Sequence, residues 1–324
     1  MERPILRSAW CGLVVVVALL AGCSDRPSTQ WRVTEQGGVF TGQFDGTGSW
    51  LATGTVLQGG ALWRVEDQRL MAGLNHQPEQ TSVIVAAAFS PDGRHLLTAE
   101  PESVVWWDAR SGRGLAHWRL SGGVQSLALS GGAQWALIGM RNADMVLLDV
   151  QAGQVHSRIR HGSSVSSVAI SRDGRYGFTG SDDGVVTGWD LQSGTQRFSR
   201  RYPGAINVLT VSPDEKLLLV GVAHHSGEIL LAEDGALVKP VGRPRVTLST
   251  ARFSSDSRRL LLGHPSGEVG EWHVHERAPP QRWQVAPDRF WQAQGRAIVA
   301  VAYGQANGSV LGLTGDGAVM VWRR

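Results

Sequence analysis

The segment from Arg160 to Arg201 decides the fold, and it reads RHGSSVSSVAISRDGRYGFTGSDDGVVTGWDLQSGTQRFSRR. Short apolar runs alternate in it with turn sequences such as Arg172-Asp173-Gly174 and Asp182-Asp183-Gly184. Asp and Gly at these points are the residues that tight hairpin turns select, because they tolerate the turn backbone. The segment therefore predicts several short strands joined by hairpins.

This pattern repeats through most of the chain. An apolar anchor, a turn and a second apolar run recur, and a third apolar run closes each unit about 20 residues after its anchor. The anchors are Phe44, Phe89, Leu129, Ile170, Val211, Phe253 and Tyr303. The third runs are ALWRV, VVWWD, MVLLD, VTGWD, ILLAE, VGEWH and VMVWR. Such a unit cannot cover both of its faces alone, so neighbouring units must stack.

The repeats resemble those of the WD40 β-propeller family. The residues that carry the resemblance are Trp107-Asp108, Leu148-Asp149 and Trp189-Asp190 at the ends of the third runs, together with SPDGR-type turns. The resemblance covers residues 30–324 and implies an all-β fold, a seven-bladed propeller of four-stranded antiparallel sheets. Within the segment quoted above, it also implies a structural hydrogen-bond network of His161, Ser181, Asp183 and Trp189. The other repeats lack most of these polar residues, so we expect the network in one blade and apolar packing elsewhere.

The ends of the chain suggest how the ring closes. The seventh unit stops after its third run, and residues 30–35 have the alternating character of an outer strand. We expect this N-terminal strand to complete the last blade, which would leave no unpaired sheet edge there. A loose N-terminal linker is the alternative.

Residues 1–22 are typical of an export signal. Arg3 and Arg7 precede an apolar run, Trp10 to Gly22, that is shorter than the roughly 20 residues a membrane-spanning helix needs. The junction Leu20-Ala21-Gly22-Cys23 resembles the lipobox of bacterial lipoproteins, which implies cleavage before Cys23 and acylation of its thiol. The alternative is an uncleaved short anchor. Ser24 after the cysteine favours the outer membrane, facing the periplasm, and residues 23–29 form a tether that extends at most roughly 25 Å.

The amino-acid composition excludes several classes of protein. Hydrophobic residues make up 42% of the 324 residues and charged residues 18%, which excludes a disordered chain. The formal net charge of +3 comes from scattered Arg without a basic stripe, so we expect no nucleic-acid partner. Cys11 and Cys23 are the only cysteines, and Cys11 leaves with the signal, so a disulfide scaffold is excluded.

Catalytic and metal signatures are absent from the sequence. It contains no P-loop, no G-x-S-x-G, no H-E-x-x-H and no free thiol in the mature chain, and we expect neither cofactor nor catalytic residues. Glu271, His273 and His275 alternate and could bind a metal, although solvated polar residues are the commoner interpretation. His224-His225 is a weaker candidate, because adjacent residues of an extended chain point apart.

The resemblance places protein binding on one rim of the propeller. The rim residues we select are Arg141, Tyr202, Arg243, Arg245, Phe290 and Trp291. Aromatic and Arg side chains are enriched in interface hot spots. Phe290 and Trp291 could equally pack against their own blade. The sequence thus favours a monomeric, non-catalytic scaffold that binds protein partners of the cell envelope. The alternatives are a subunit of an outer-membrane protein assembly complex, or a hydrolase or lyase with a site in the central channel.

Overall fold

The computed structural model describes residues 27, 29–34, 37–77, 80–276, 278–285, 296–305 and 308–323. These residues form 28 short strands in seven four-stranded antiparallel sheets, as the repeats predict. Among the described residues the only helix is a single 3-10 turn, Gly131–Ala133. We call the sheets blades 1 to 7 in chain order.

The first strand in the chain and blades 1 to 3 have the following bounds. β1 is Thr29–Arg32. Blade 1 comprises β2 (Val39–Phe44), β3 (Trp50–Thr55), β4 (Gly59–Arg64) and β5 (Arg69–Gly73). Blade 2 comprises β6 (Ala86–Phe89), β7 (His95–Glu100), β8 (Ser103–Asp108) and β9 (Gly114–Arg119). Blade 3 comprises β10 (Val124–Leu129), β11 (Trp135–Met140), β12 (Asp144–Asp149) and β13 (Gln154–Arg160).

Blades 4 to 7 repeat the arrangement. Blade 4 comprises β14 (Val165–Ile170), β15 (Tyr176–Ser181), β16 (Val185–Asp190) and β17 (Thr195–Arg201). Blade 5 comprises β18 (Ile206–Val211), β19 (Leu217–Val222), β20 (Gly227–Leu231) and β21 (Leu237–Val241). Blade 6 comprises β22 (Thr250–Phe253), β23 (Arg259–Gly263), β24 (Glu268–His273) and β25 (Gln281–Gln284). Blade 7 comprises β26 (Ile298–Tyr303), β27 (Ser309–Thr314), β28 (Ala318–Arg323) and β1.

The N-terminal strand closes the ring. β1 pairs antiparallel with β28, with Thr29 opposite Val321 and Arg32 opposite Ala318. The predicted closure is therefore confirmed, but the strand is shorter than residues 30–35. It ends at Arg32 because the next pairing is a single bond from the Val33 amide to the Gly317 carbonyl, made to a turn and not to a strand.

Burial follows the seams between blades. Seven apolar clusters are buried, and each lies between two neighbouring blades, including the seam between blades 7 and 1. At that seam Phe44 and Leu51 of blade 1 pack with Leu313 and Val319 of blade 7 and with Trp31 of β1. The ring is thus held by contacts that no single blade could make, which is why the repeats must stack.

The outermost strands carry a protective charge pattern. Each of these seven strands contains Arg or Lys, and none contains Asp or Glu. Cationic side chains on an open edge discourage pairing with another chain. The circumference is therefore suited to a chain that does not polymerise through its sheet edges.

The propeller has two unlike faces. The upper face carries the turns between second and third strands and the connections between blades. The lower face carries the turns between first and second and between third and fourth strands. Because β28 starts at an upper turn, its partner Arg32 lies towards the upper face and Thr29 towards the lower face. The start of β1 therefore lies on the lower side of the ring.

Candidate functional site

The four residues predicted as a structural network lie together in blade 4, with contacts that differ from the family pattern. Ser181 Oγ donates to Asp183 Oδ1 at 2.5 Å. The indole Nε1 of Trp189 donates to Thr179 Oγ1 at 2.9 Å. The His161 ring packs edge-on against Trp189, with ring centroids 5.4 Å apart, and its Nε2 is buried without a hydrogen-bond partner among the described residues. The four residues thus form two separate contacts, and Thr179 is the hydroxyl that the sequence analysis missed.

A continuous hydrogen-bond chain is present instead in blade 2, around His76. Trp107 Nε1 donates to Thr98 Oγ1 at 2.8 Å, and Thr98 Oγ1 lies 2.8 Å from His76 Nε2. His76 Nδ1 lies 2.5 Å from Ser103 Oγ, which donates to Glu100 Oε2 at 3.0 Å. Each hydroxyl donates once and accepts once only if the His76 ring is neutral with its proton on Nδ1. The structure therefore has a connected polar chain in blade 2, where the sequence analysis did not expect one.

His76 was not recognised from the sequence, because its distance from the next strand differs from that of His161. His161 lies four residues before the first strand of its blade, whereas the connection that leads from β5 to β6 is longer and places His76 ten residues before β6. The usable signal was in the strands, because Thr98 and Thr179 occupy the same position in β7 and β15. Trp107 and Trp189 likewise match in β8 and β16.

Burial keeps both histidines neutral near pH 7. Burial lowers the pKa of His76 to about 4, although the Glu100 carboxylate opposes this shift. Burial also lowers the pKa of His161, and Asp183 opposes it. A buried, uncharged imidazole is a structural element and not a ready proton donor at neutral pH.

The central channel is lined by the first strands of all seven blades. Its polar lining consists of side-chain amides and hydroxyls, including Gln43, Gln125, Ser166 and Asn207. Among the described residues that line it there is no Asp, Glu or His. The convergent carboxylates or imidazoles that a propeller hydrolase would place near the axis are therefore not found in this described lining.

The lower mouth of the channel is crossed by Arg252 of β22. Its Nη2 donates to the Phe44 carbonyl at 2.7 Å, and its Nη1 donates to the Asp45 carbonyl. Blade 6 is thereby tied to blade 1 across the end of blade 7. Arg172 and Glu215 lie beside this mouth, and Glu215 Oε1 accepts from the Arg172 amide at 2.5 Å.

The upper face holds the predicted rim residues that the structure describes. Arg141 is exposed in the turn after β11 and forms no ion pair with any described residue. The Tyr202 hydroxyl donates to Glu228 Oε2 at 3.0 Å, and burial together with Glu228 raises the pKa of Tyr202. Tyr202 is thus held against blade 5, whereas Arg141 is free to contact another molecule.

The two predicted arginines after β21 differ from each other. Arg243 Nη2 lies 2.7 Å from Glu268 Oε2, and Arg282 Nε lies 3.4 Å from the other oxygen of the same carboxylate. Arg245 is exposed, with no ion pair to a described residue, and its backbone is left-handed (φ 60°). The upper face of blade 6 therefore has two arginines on one buried carboxylate and a third arginine nearby without a counter-ion.

The histidine pairs show no metal geometry. β24 ends at His273, so His275 lies beyond the strand and the alternation on which a shared face depends does not reach it. Glu271 is buried and lies 3.9 Å from Arg259, while His273 lies 3.7 Å from Glu276. His224 and His225 are exposed in the turn after β19. The described residues contain no group of three His, Cys, Asp or Glu placed to hold a metal ion.

Three predicted residues lie outside the described residues: Cys23, Phe290 and Trp291. The expected signal, residues 1–22, also lies outside them. In the portion of the chain that the structure covers, no helix has the length and apolar character needed to cross a membrane.

The comparison with protein families agrees with this geometry. The family model named WD domain, G-beta repeat (WD40) matches residues 153–190, from the turn before β13 to the end of β16. This match and the seven-bladed ring together support the WD40 propeller family, whose members are typically non-catalytic scaffolds that bind proteins. No curated protein matches the chain.

Proposed function

We propose that this protein is a lipid-anchored scaffold that binds protein partners of the bacterial cell envelope, with acylated Cys23 as its anchor. The observation that carries the proposal is the polarity of the ring. β1 enters from the lower side, and the upper face, with its exposed connections and unpaired arginines, lies at the opposite end of every blade.

A short tether to Cys23 would orient the two faces of the ring relative to the membrane. Five residues, 24–28, separate Cys23 from β1, and a chain of this length extends at most about 20 Å. A propeller on so short a tether stays close to the lipid surface with its lower side, and its upper face is then presented to proteins in the periplasm. Ser24 after the cysteine supports the outer membrane as the location.

Site-specific crosslinking in intact cells tests the scaffold. A photo-crosslinking residue in place of Arg141 reports on the upper face, and one in place of Ser193, in the turn after β16, reports on the lower face. We expect Arg141 to capture discrete proteins and Ser193 to capture lipid or nothing. The proposal fails if neither position captures a protein or if both capture the same set.

The same experiment identifies the pathway. A role in an outer-membrane protein assembly complex differs from other scaffolding roles only in the partner. Capture of an integral outer-membrane assembly protein from the Arg141 position would assign the chain to such a complex, and capture of other envelope proteins would assign it elsewhere.

A further inference from the structure

Arginines are gathered round one buried carboxylate at the upper end of blade 6. Arg243 and Arg282 lie 2.7 and 3.4 Å from the two oxygens of Glu268, whose side chain is buried. Arg243 lies in the connection that leads from β21 to β22, and Arg282 lies on the outermost strand β25. One carboxylate thus holds two guanidinium groups and neutralises the charge of only one.

Backbone contacts place two further arginines beside this pair. Arg243 and Arg245 belong to one turn, in which the Val246 amide donates to the Arg243 carbonyl at 3.3 Å. Arg296 lies against the upper turn of blade 6, because a Cβ on Gly267 would come within 3.4 Å of the Arg296 Cβ. Neither Arg245 nor Arg296 forms an ion pair with a described residue. We call Arg243, Arg245, Arg282 and Arg296 the blade 6 arginines.

The acidic side chains at the upper ends of the neighbouring blades already have cationic partners. On blade 5, Glu228 lies 3.5 Å from Arg200 and accepts a hydrogen bond from the Tyr202 hydroxyl. On blade 7, Asp316 lies 3.1 Å from Arg32. With these pairs counted, the described upper ends of blades 5 to 7 carry six arginines and three carboxylates. The surplus is therefore three positive charges.

The upper end of blade 3 has a similar triad but no such surplus. Three carboxylates of blades 2 to 4 offset its three arginines: Asp144, Glu102 and Asp182 against Arg141, Arg158 and Arg160. Around blade 6, the segment 286–295 lies outside the described residues, and its sequence contains one Asp and one Arg, which add no net charge. The positive surplus is thus a property of blade 6.

His264 is exposed to the field of these arginines. It lies in the upper turn of blade 6, with Nδ1 3.4 Å from the Thr247 carbonyl oxygen. Burial lowers the pKa of His264, and Arg243 and Arg282 lower it further, whereas Thr247 and Glu268 oppose the shift. Like charges held this close repel one another, which costs free energy in the isolated protein. Carboxylates from a partner would remove that repulsion.

We infer that the blade 6 arginines bind an acidic protein segment, whose Asp or Glu carboxylates accept hydrogen bonds from the guanidinium groups. Each guanidinium has five N–H donors, so a contact with Glu268 leaves most of them for a partner. Arg243, Arg245 and Arg282 are exposed.

The position of the blade 6 arginines favours a protein segment over a small ion or a lipid. They are spread over a connection, an outermost strand and the entry to blade 7, so a ligand that meets all of them is extended. They lie on the upper face, which the proposed tether directs away from the lipid of the anchor. This inference rests on the proposed scaffold function and specifies its partner.

Synthetic peptides test the partner chemistry directly. Three labelled peptides of equal length are compared: an alternating Glu-Ser sequence, the same sequence with Gln in place of Glu, and the same sequence with Lys in place of Glu. Binding to the full-length chain in neutral phospholipid nanodiscs is measured by fluorescence anisotropy, with empty nanodiscs as the blank. We expect the Glu peptide to bind at least about tenfold more tightly than the other two at low salt, and to lose this preference as salt increases.

Variants assign the binding to blade 6. The double variant Arg245→Gln, Arg296→Gln should weaken the Glu peptide at least about fivefold. Its melting temperature should stay the same or rise, because the change removes repulsion and no described ion pair, whereas a purely structural role predicts a decrease. The matched control is Arg110→Gln, Arg113→Gln, which removes two exposed arginines from a lower-face turn of blade 2 and should leave binding unchanged.

Charge reversal provides a result that unfolding cannot produce. The double variant Arg245→Glu, Arg296→Glu should bind the Lys peptide more tightly than the wild type does, because the sign of the local charge changes.

Three outcomes overturn the inference. The first is equal binding, or none, for the Glu and Gln peptides. The second is unchanged binding of the Glu peptide in the Arg245→Gln, Arg296→Gln variant. The third is that the wild type, but not this variant, binds liposomes that contain phosphatidylglycerol while the Glu peptide does not bind, which would assign the blade 6 arginines to anionic lipid. Any of these, with proteins still captured at Arg141 in cells, would reject this partner class and leave the scaffold function standing.

Discussion

His76 occupies a place in its hydrogen-bond chain that only a neutral imidazole can fill. Its pKa is lowered by burial from 6.5 to about 4, so the unfolded chain takes up a proton at a higher pH than the folded chain does. The stability that neutral His76 contributes is therefore complete above about pH 6.5 and is lost as the pH falls from there to about 4. We predict a melting temperature that decreases across this window. His161 and His264, whose pKa values burial also lowers, add to the decrease.

The variant His76→Gln separates this contribution from the others. A glutamine amide offers one acceptor and a donor to Thr98 and Ser103 but does not titrate. We expect a smaller decrease of the melting temperature between pH 6.5 and pH 4 than in the wild type, measured by circular dichroism. Identical pH profiles for the two proteins would show that His76 is not the source.

Thr98 and Thr179 form a matched pair for measuring what the blade 2 chain contributes. Both are buried and both accept from an indole, but only Thr98 also contacts a histidine. Thr98→Val leaves the Trp107 indole and the His76 ring without their hydroxyl partner, and we expect a loss of about 1–3 kcal/mol in the free energy of unfolding. Thr179→Val should cost less, because it removes one strong partner. Equal losses in urea titrations would contradict a connected chain.

At the scale of the strand, the four residues of β1 both complete blade 7 and help to close the ring. Its four residues pair with β28, and Trp31 is buried in the seam between blades 7 and 1, with its ring 5.6 Å from that of Trp63. Deletion of residues 29–32 would expose the edge of β28 and open that seam. We predict a chain that is unfolded or self-associated, and size-exclusion chromatography with circular dichroism distinguishes these states from the folded wild-type chain.

A deletion of equal length in the tether provides the control. Removal of residues 24–27 shortens the connection to Cys23 but leaves β1 and its pairing in place, so the melting temperature should not change. A monomeric propeller that survives the loss of residues 29–32 with wild-type stability would show that β1 does not close the ring.

The elements also show what the sequence could and could not reveal. The anchors Phe44 to Tyr303 and the third apolar runs predicted seven units, because apolar alternation and turn residues are local properties. The position of Arg252 was not predictable, since its partners, the carbonyl oxygens of Phe44 and Asp45, are more than 200 residues away in sequence. The polar network was assigned from the spacing between His161 and the first strand of its blade. His76 does not have this spacing, because the connection before β6 is longer. The exposed apolar side chains of Phe40 and Leu57 were missed, because exposure depends on how neighbouring blades pack.

At the scale of the molecule, the two faces of the ring differ because β1 begins at the lower face. β1 places Thr29 towards the lower face, and the unpaired arginines Arg141 and Arg245 lie on the upper face. All seven seams are packed with apolar residues, so the ring is rigid and keeps the two faces on opposite sides. An anchor at Cys23, as proposed, would therefore decide which surface partners meet.

The proposed anchor at Cys23 predicts an orientation at the membrane that can be measured. Gln58 and Glu66 are exposed residues at the upper and lower ends of β4, so single cysteines at these positions differ in height by about six residues of strand, roughly 20 Å. In liposomes that carry a quencher on the lipid headgroup, a fluorophore on Glu66→Cys should be quenched more than one on Gln58→Cys. The same labels on a chain with Cys23→Ala, which we expect to be released from the membrane, should show no quenching. Stronger quenching at Gln58→Cys would mean that the upper face lies against the lipid, and this face would then be closed to the protein partners that the proposed scaffold binds.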